Sequence, residues 1–361
     1  MKYKVACTKC RHIEPDNASK CSRCNSILEV HFDYSTLSLG KNFRKQKIGQ
    51  SKYIDFFPID KFEIDGGSFG TPLKSMRYKS KEIMLKIETK NPTRSFKDRG
   101  SAVELSKAVE LGFRDVCCAS TGNMGISVAR YSKLAGINAT IFISKDANKK
   151  KIEIIKSHGA RIIKVDGDFN KAIETAERFS KDNKSMLCGD YHYRKEGQKS
   201  IIFEVIEQLK YKTPDFIFMP VGSATLLSAT YKGLREFRML SMINKYPKLV
   251  ASQSDMCNPL IKAYESSSRI KYVKPMTSAD AIAVGYPIFG SQGLDALKKT
   301  RGMGVSVSED EIRNAVIMLK RMGIGSEPGG AAGFAGFAKL YERNREIFDR
   351  KSVVIIITGN N

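Results

Sequence analysis

From residue 116 to 182, short apolar runs alternate with amphipathic ones across short connections, and the pattern resumes from 200 to 252. VCCAS (116–120), ATIFIS (139–144), RIIKVD (161–166), DFIFMPV (215–221) and KLVAS (248–252) have the length and content of strands. MGISVARYSKLAG (124–136), ANKKKIEIIKSHG (147–159), NKAIETAERFSKD (170–182), SIIFEVIEQLK (200–210) and a segment from Leu226 to about Arg238 repeat with helical period. The same grammar closes the chain in SEDEIRNAVIMLKRMG (308–323), EPGGAAGFAGFAKLYERN (327–344) and SVVIIIT (352–358). Alternation of this kind predicts an α/β fold, with doubly wound parallel sheets covered by helices on both faces.

Charge and cysteine content narrow the function. Lys plus Arg number 61 against 38 for Asp plus Glu, a formal charge of +23, so nucleic acid is one partner to weigh. The lysines are spread along the whole chain, and aromatic residues do not interleave with them as on a base-stacking surface. We therefore read a lysine-rich solvated surface and expect no nucleic-acid partner. MKYKVACTKC lacks the apolar run of a signal peptide, and FIFMPVG and SVVIIIT are too short to cross a bilayer. Eight cysteines in 361 residues do not form a secreted disulfide framework, so a reducing cytoplasm is expected. Cys117, Cys118, Cys188 and Cys257 read as small buried apolar residues.

Cys7, Cys10, Cys21 and Cys24 form two C-x-x-C knuckles separated by ten residues. Two thiolate pairs on two tight turns suit tetrahedral zinc and leave no open catalytic position. Redox cysteines are the competing reading. Asn25 stands where glycine often follows the second knuckle.

EIMLKIE (82–88) is a further strand candidate. It delivers the chain to NPTRSFKDRG (91–100), after which SAVELSKAVELG (101–112) is helical. Lys97 thus sits between a turn and a helix start, with Thr93 and Ser95 before it and Asp98 and Arg99 after it. A helix N-terminus and a nearby cation both favour a neutral amine, the form that Schiff-base chemistry requires. A solvated lysine explains these ten residues equally well, so the reading depends on what the other turns offer.

In open parallel sheets, ligands bind beyond the carboxyl ends of strands. STGN (120–123) places Ser120, Thr121 and Asn123 ahead of a helix, where backbone N–H groups can hold a carboxylate, although simple N-capping accounts for it too. VGSATLLSA (221–229) offers amides to a phosphate from a run of small residues. YHYRKEGQKS (191–200) gathers His192, Arg194, Lys195 and Lys199, an anion clamp or merely a solvated basic turn. Thr358 in TGNN (358–361) can face a pyridine nitrogen.

In order along the chain, GTPL (70–73), NPTRSFKDRG, STGN, RKEGQK, PVG with its small-residue loop, EPGGAA and the final TG resemble the fold-type II pyridoxal phosphate enzymes. The likeness is closest to the threonine synthases, because RKEGQKSIIFE is more particular to them than SFKDR, which dehydratases share. The resemblance implies two doubly wound parallel-sheet domains with a cofactor cleft between them, preceded by a small zinc ribbon. The ribbon would span 1–30, the large cofactor domain 31–110 with 205–361, and the small mobile domain 111–204.

The resemblance also implies roles. Lys97 would carry pyridoxal 5'-phosphate as a Schiff base and act as the catalytic residue. Asn123 would meet the 3'-hydroxyl, amides of Gly222, Ser223, Ala224, Thr225 and Leu226 the phosphate, and Thr358 the ring nitrogen. Ser120, Thr121, Arg194, Lys199 and Arg94 would receive a small anionic phosphorylated amino acid, O-phosphohomoserine, converted with water to threonine and phosphate. Zn2+ would sit on the four cysteines, and the enzyme would be a cytoplasmic homodimer. Three departures stand out: Arg94 and Ala224 replace usual glycines, and Tyr191/His192 replace a common Asn-Pro pair. Ala224 bears on cofactor affinity at most, whereas Arg94 and Tyr191/His192 keep open a related β-replacement or deaminating enzyme, cysteate synthase-like or threonine dehydratase-like. A nucleic-acid-binding zinc-ribbon protein is the reading from another class.

Overall fold

A computed structural model describes residues 3–37, 39, 43–64, 70–120, 122–144, 149–167 and 169–361. The chain divides into two compact units, one of Met1–Gly70 with Lys97–Ser200 and one of Thr71–Phe96 with Ile201–Asn361.

The first unit opens with β1 (Tyr3–Cys7), β2 (Ile13–Glu14) and β3 (Leu28–Phe32), an antiparallel sheet in the order β2-β1-β3. Val5, Ala6, Cys7, Leu28 and Val30 are its buried apolar side chains. Next come β4 (Leu73–Tyr78) and β5 (Lys81–Ile87), which belong to the second unit. The first unit resumes with α1 (Lys97–Glu110), β6 (Asp115–Ala119), α2 (Asn123–Ala135), β7 (Asn138–Ser144), α3 (Lys149–Ser157), β8 (Arg161–Val165), α4 (Phe169–Asp182), β9 (Met186–Cys188) and α5 (His192–Gln198). Its sheet is wholly parallel in the order β8-β7-β6-β9.

The chain continues through α6 (Ser200–Gln208), β10 (Phe216–Pro220), α7 (Thr225–Met239), β11 (Lys248–Ser254) and α8 (Pro259–Glu265). It finishes with α9 (Gly290–Lys299), β12 (Met303–Val307), α10 (Glu309–Arg321), α11 (Pro328–Arg343) and β13 (Val353–Ile357). The second sheet runs β12-β11-β10-β13-β5-β4, parallel except for β4 at the edge. β10 and β13 are buried at every residue, as expected of central strands covered on both faces. Tyr78, Phe218, Phe334, Phe337, Tyr341 and Phe348 pack ring on ring in the core beneath α11. The glycine run of α11 is what lets that helix lie on the sheet: a Cβ at Gly336 would stand 2.1 Å from Ser252 Oγ.

The alternation read from sequence is present, with helix and strand limits within a few residues. β4, β9, β12, α5, α8 and α9 were not expected as separate elements, being three to ten residues long and without a clear apolar period. The unit boundaries also differ from the sequence boundaries at 30/31, 110/111 and 204/205. The cause is α1, which packs on α2 and α5, so the first unit begins again at Lys97 and includes the ribbon. No helix among the described residues is long and apolar enough to cross a membrane.

The α1 to α5 approach is unusually close, since a Cβ at Gly197 would lie 2.0 Å from the Arg99 carbonyl oxygen. Gly197→Ala must therefore push the helices apart, and we expect it to destabilise the protein by about 3 kcal/mol. Urea unfolding followed by circular dichroism measures this.

Candidate active site

Lys97 is the first residue of α1, and its Nζ lies 3.6 Å from Asp190 Oδ1, with both side chains mostly buried. Asp190 follows Gly189, whose φ of +151° suits glycine alone, and the Gly189 amide donates to Glu104 Oε1 at 3.0 Å. Glu104 also pairs with Arg194. The Arg194 guanidinium further donates to the Lys97 carbonyl and to Ser101 Oγ, each at 3.1 Å. One buried cation thus holds the backbone of Lys97, and its carboxylate partner holds the backbone next to Asp190. Burial pushes the Glu104 carboxyl up against the pull of Arg194, while Glu104 holds the Arg194 guanidinium above its usual value despite the cost of burial.

Arg194 and Lys199, the expected anion receivers, both already face acids in this structure. Arg194 is fully buried and ion-paired, and Lys199 is fully buried, bonded to Glu196 at 2.6 Å and set 4.5 Å over the Phe32 ring. Burying a cation requires a partner, and here Glu104 of α1 takes the charge of Arg194 and Glu196 of α5 that of Lys199.

Ser120 Oγ accepts from the amides of Gly122 and Gly125, at 3.2 and 2.9 Å, and so caps the start of α2. Asn123 is buried at the first helical position. Thr121 lies outside the described residues. Lys151 of α3 is buried, and its Nζ stands 4.0 Å from where a Gly122 Cβ would be. The sequence did not single out this cation, because it sits in a lysine run that reads as a solvated face.

In the second unit, β10 leads through Gly222 and Ser223 into α7. Ala224 adopts φ +61° just before the helix, no side chain caps it, and the Ser223 and Thr225 hydroxyls lie 2.9 Å apart. Thr225 and Leu226 form the buried first turn of α7. Gly222 is packed against Ala281, Ile282 and Val284, with 3.1 Å between its would-be Cβ and Ile282 Cα. Glu309 ties down the segment before this contact by accepting from Thr277, Ser278 and Ser254. Although burial acts the other way, these donors hold the Glu309 carboxyl down to about 2.

Thr358 is buried at the end of β13, and its carbonyl accepts the Phe96 amide at 2.9 Å. Ser95 pairs with Gly359, the Asn360 amide donates to the Arg94 carbonyl, and Asn361 Nδ2 donates to the Thr93 carbonyl. The last four residues therefore line up along 93–96, immediately before Lys97. Arg94 is exposed with φ +58°, a conformation natural to the glycine it replaces. Upstream, Glu88 accepts from the Thr71 hydroxyl at 2.6 Å and from Asn91 Nδ2 at 2.8 Å, which fixes where this segment starts.

The four ribbon thiols lie within 4.8 Å of one another. Cys7 to Cys24 is 3.4 Å and Cys10 to Cys21 is 3.5 Å, near the sulfur separation of about 3.8 Å in a tetrahedral zinc-thiolate site. Amides of Lys9 and Cys10 donate to Cys7 Sγ, and the Ser26 hydroxyl and amide hold the Cys24 thiol down to about 6. Each knuckle closes on a left-handed residue, Arg11 and Asn25. Sulfurs already drawn together fit Zn2+ better than a redox pair. By contrast Cys117, pushed up to about 11, and Cys118 and Cys188 are raised by burial and are inert core residues.

A family profile described as "Pyridoxal-phosphate dependent enzyme" matches residues 64–359. The chain belongs to that family. Its relatives include the threonine synthase of Methanosarcina acetivorans, 34% identical over 99% of this chain and 91% of that protein. The threonine synthase of Methanocaldococcus jannaschii is also 34% identical, over 98% and 90%. Among solved structures, maize serine racemase superposes with a TM-score of 0.70 at 23% identity, covering 81% of this chain and 88% of that one. It shares the α/β fold. Taken separately, the first unit of this pyridoxal-phosphate-dependent enzyme carries a largely buried lysine amine, and the second carries an uncapped fifteen-residue helix behind a left-handed turn, groups of the kind that suit an aldehyde and a phosphate. A cavity of about 650 Å³ in the first unit, lined by His158, Arg161 and Lys133, holds none of these residues.

Two outcomes follow from the geometry. Arg94→Gly relieves a left-handed arginine and should stabilise the enzyme by about 1 kcal/mol in urea melts. For Glu309, the folded carboxyl lies below its unfolded value, so its contribution is complete above the unfolded range and disappears as pH falls through about 2. Thermal melts should show Glu309→Gln less stable than the parent at neutral pH, with the difference closing towards pH 2.

Proposed function

We propose that this enzyme converts O-phospho-L-homoserine and water to L-threonine and phosphate. The observation that carries the reading is the 34% identity to two archaeal threonine synthases along nearly the whole chain. Bound pyridoxal phosphate supplies an aldehyde for an amine and a ring that draws electrons from the substrate Cα. Lys97 Nζ is the amine assigned to hold it and, when released, to carry protons at Cα and Cβ. Asp190, 3.6 Å away, steadies that nitrogen when it bears the proton. The Gly222 to Leu226 turn is assigned the cofactor phosphate, Asn123 the 3'-hydroxyl and Thr358 the ring nitrogen.

Substrate anions are assigned to the turn of Ser120 and Thr121 with Lys151 behind it, and to the exposed Arg94. Arg194 and Lys199, both neutralised by acids, act through position. Eight unbridged thiols support a reducing cytoplasm, and a homodimer completes the proposal.

Phosphate release from O-phosphohomoserine, with threonine formed in equal amount, is the test. Lys97→Ala should lower turnover at least a thousandfold. A protein inert with that substrate but active on phosphoserine with sulfite overturns the assignment.

A further inference from the structure

We propose that the metal ribbon is a positioning element for Lys97 and acts through α5. This rests on Lys97 being the reactive amine, but not on which amino acid is turned over. Three residues of the Tyr193 to Lys199 stretch reach the ribbon. The Tyr193 hydroxyl donates to the Asp16 carbonyl at 2.8 Å, Lys195 Nζ bonds Glu29 at 2.5 Å, and Lys199 lies over Phe32. Between them, Arg194 reaches the other way, to the Lys97 carbonyl. The core agrees with this arrangement, for Cys7, Cys21, Val5, Leu28 and Val30 share one apolar cluster with Ala102, Leu105 and Tyr193.

A seven-residue helix does not hold its shape alone, so α5 takes its position from what it packs against. On one side that support is α1. On the other it is a three-stranded sheet whose two knuckles need an ion to stay closed. With the ion gone, Asp16 and Glu29 lose fixed positions, and α5 loosens together with the guanidinium that holds Lys97. Tyr193 and Glu29 are thus positioning residues, acting through Arg194 and touching neither cofactor nor substrate.

The test uses the full chain loaded with zinc and pyridoxal phosphate, compared with protein stripped by an organomercurial and chelator, and with zinc-retaining Glu29→Gln/Tyr193→Phe. Hydrogen exchange is followed by mass spectrometry. Both altered forms should exchange the α5 amides faster by about tenfold or more, while β7 stays protected. The circular dichroism band of the bound cofactor should weaken at full occupancy, and kcat should fall with KM little changed. Glu29→Asp paired with native Tyr193 should recover most of the band. The proposal is overturned if stripped protein keeps α5 protected while residues 3–32 lose protection. It is equally overturned if the double variant, zinc bound, matches the parent in α5 exchange and dichroism. Should stripping unfold β7 as well, the double variant alone decides.

Discussion

A guanidinium and a carboxylate, Arg194 and Glu104, share a site from which water is excluded, and the surroundings of Lys97 are arranged about that pair. Neither charge can stand there without the other, since breaking a buried pair costs about 3–5 kcal/mol. Beyond the pair, Arg194 donates to the Lys97 carbonyl and to Ser101 Oγ, and Glu104 accepts from the Gly189 amide. An interaction that adds little net stability therefore adds precision, holding a helix start and a strand-to-helix turn in one register.

Each unit has its own internal bracing. In the first, Arg194 of α5 holds the Lys97 carbonyl, and the ribbon packs on α5. In the second, the carboxyl end of β13 aligns 93–96, and the Glu309 hydrogen bonds brace the segment against Gly222. The chain passes from the second unit to the first between Phe96 and Lys97, so Lys97 opens its segment of the first unit.

Three turn residues share a physical form: Arg94, Ala224 and Asn25 all adopt the left-handed backbone that favours glycine. Each turn shape is kept at a modest conformational cost. Their side chains differ in surroundings: Arg94 is exposed, and Ala224 is small enough to be buried.

Most of the architecture was legible in the residues because parallel strands buried on both faces and amphipathic helices leave strong, local, periodic signals. SVVIIIT and DFIFMPV became the centre of a sheet, and the paired knuckles brought four thiols together, as their spacing implies. The turns that bear Lys97, Asn123 and Gly222 were found for the same reason, being short segments between strong elements. Tertiary structure alone decided which charges remain available. Arg194 and Lys199 look solvated in a basic string, yet both are buried with acids, whereas Asp190 and Lys151, unremarked in sequence, come to Lys97 and to the STGN turn. A one-dimensional pattern records whether a residue is charged; whether that charge faces water or a partner far along the chain is set only when the helices pack.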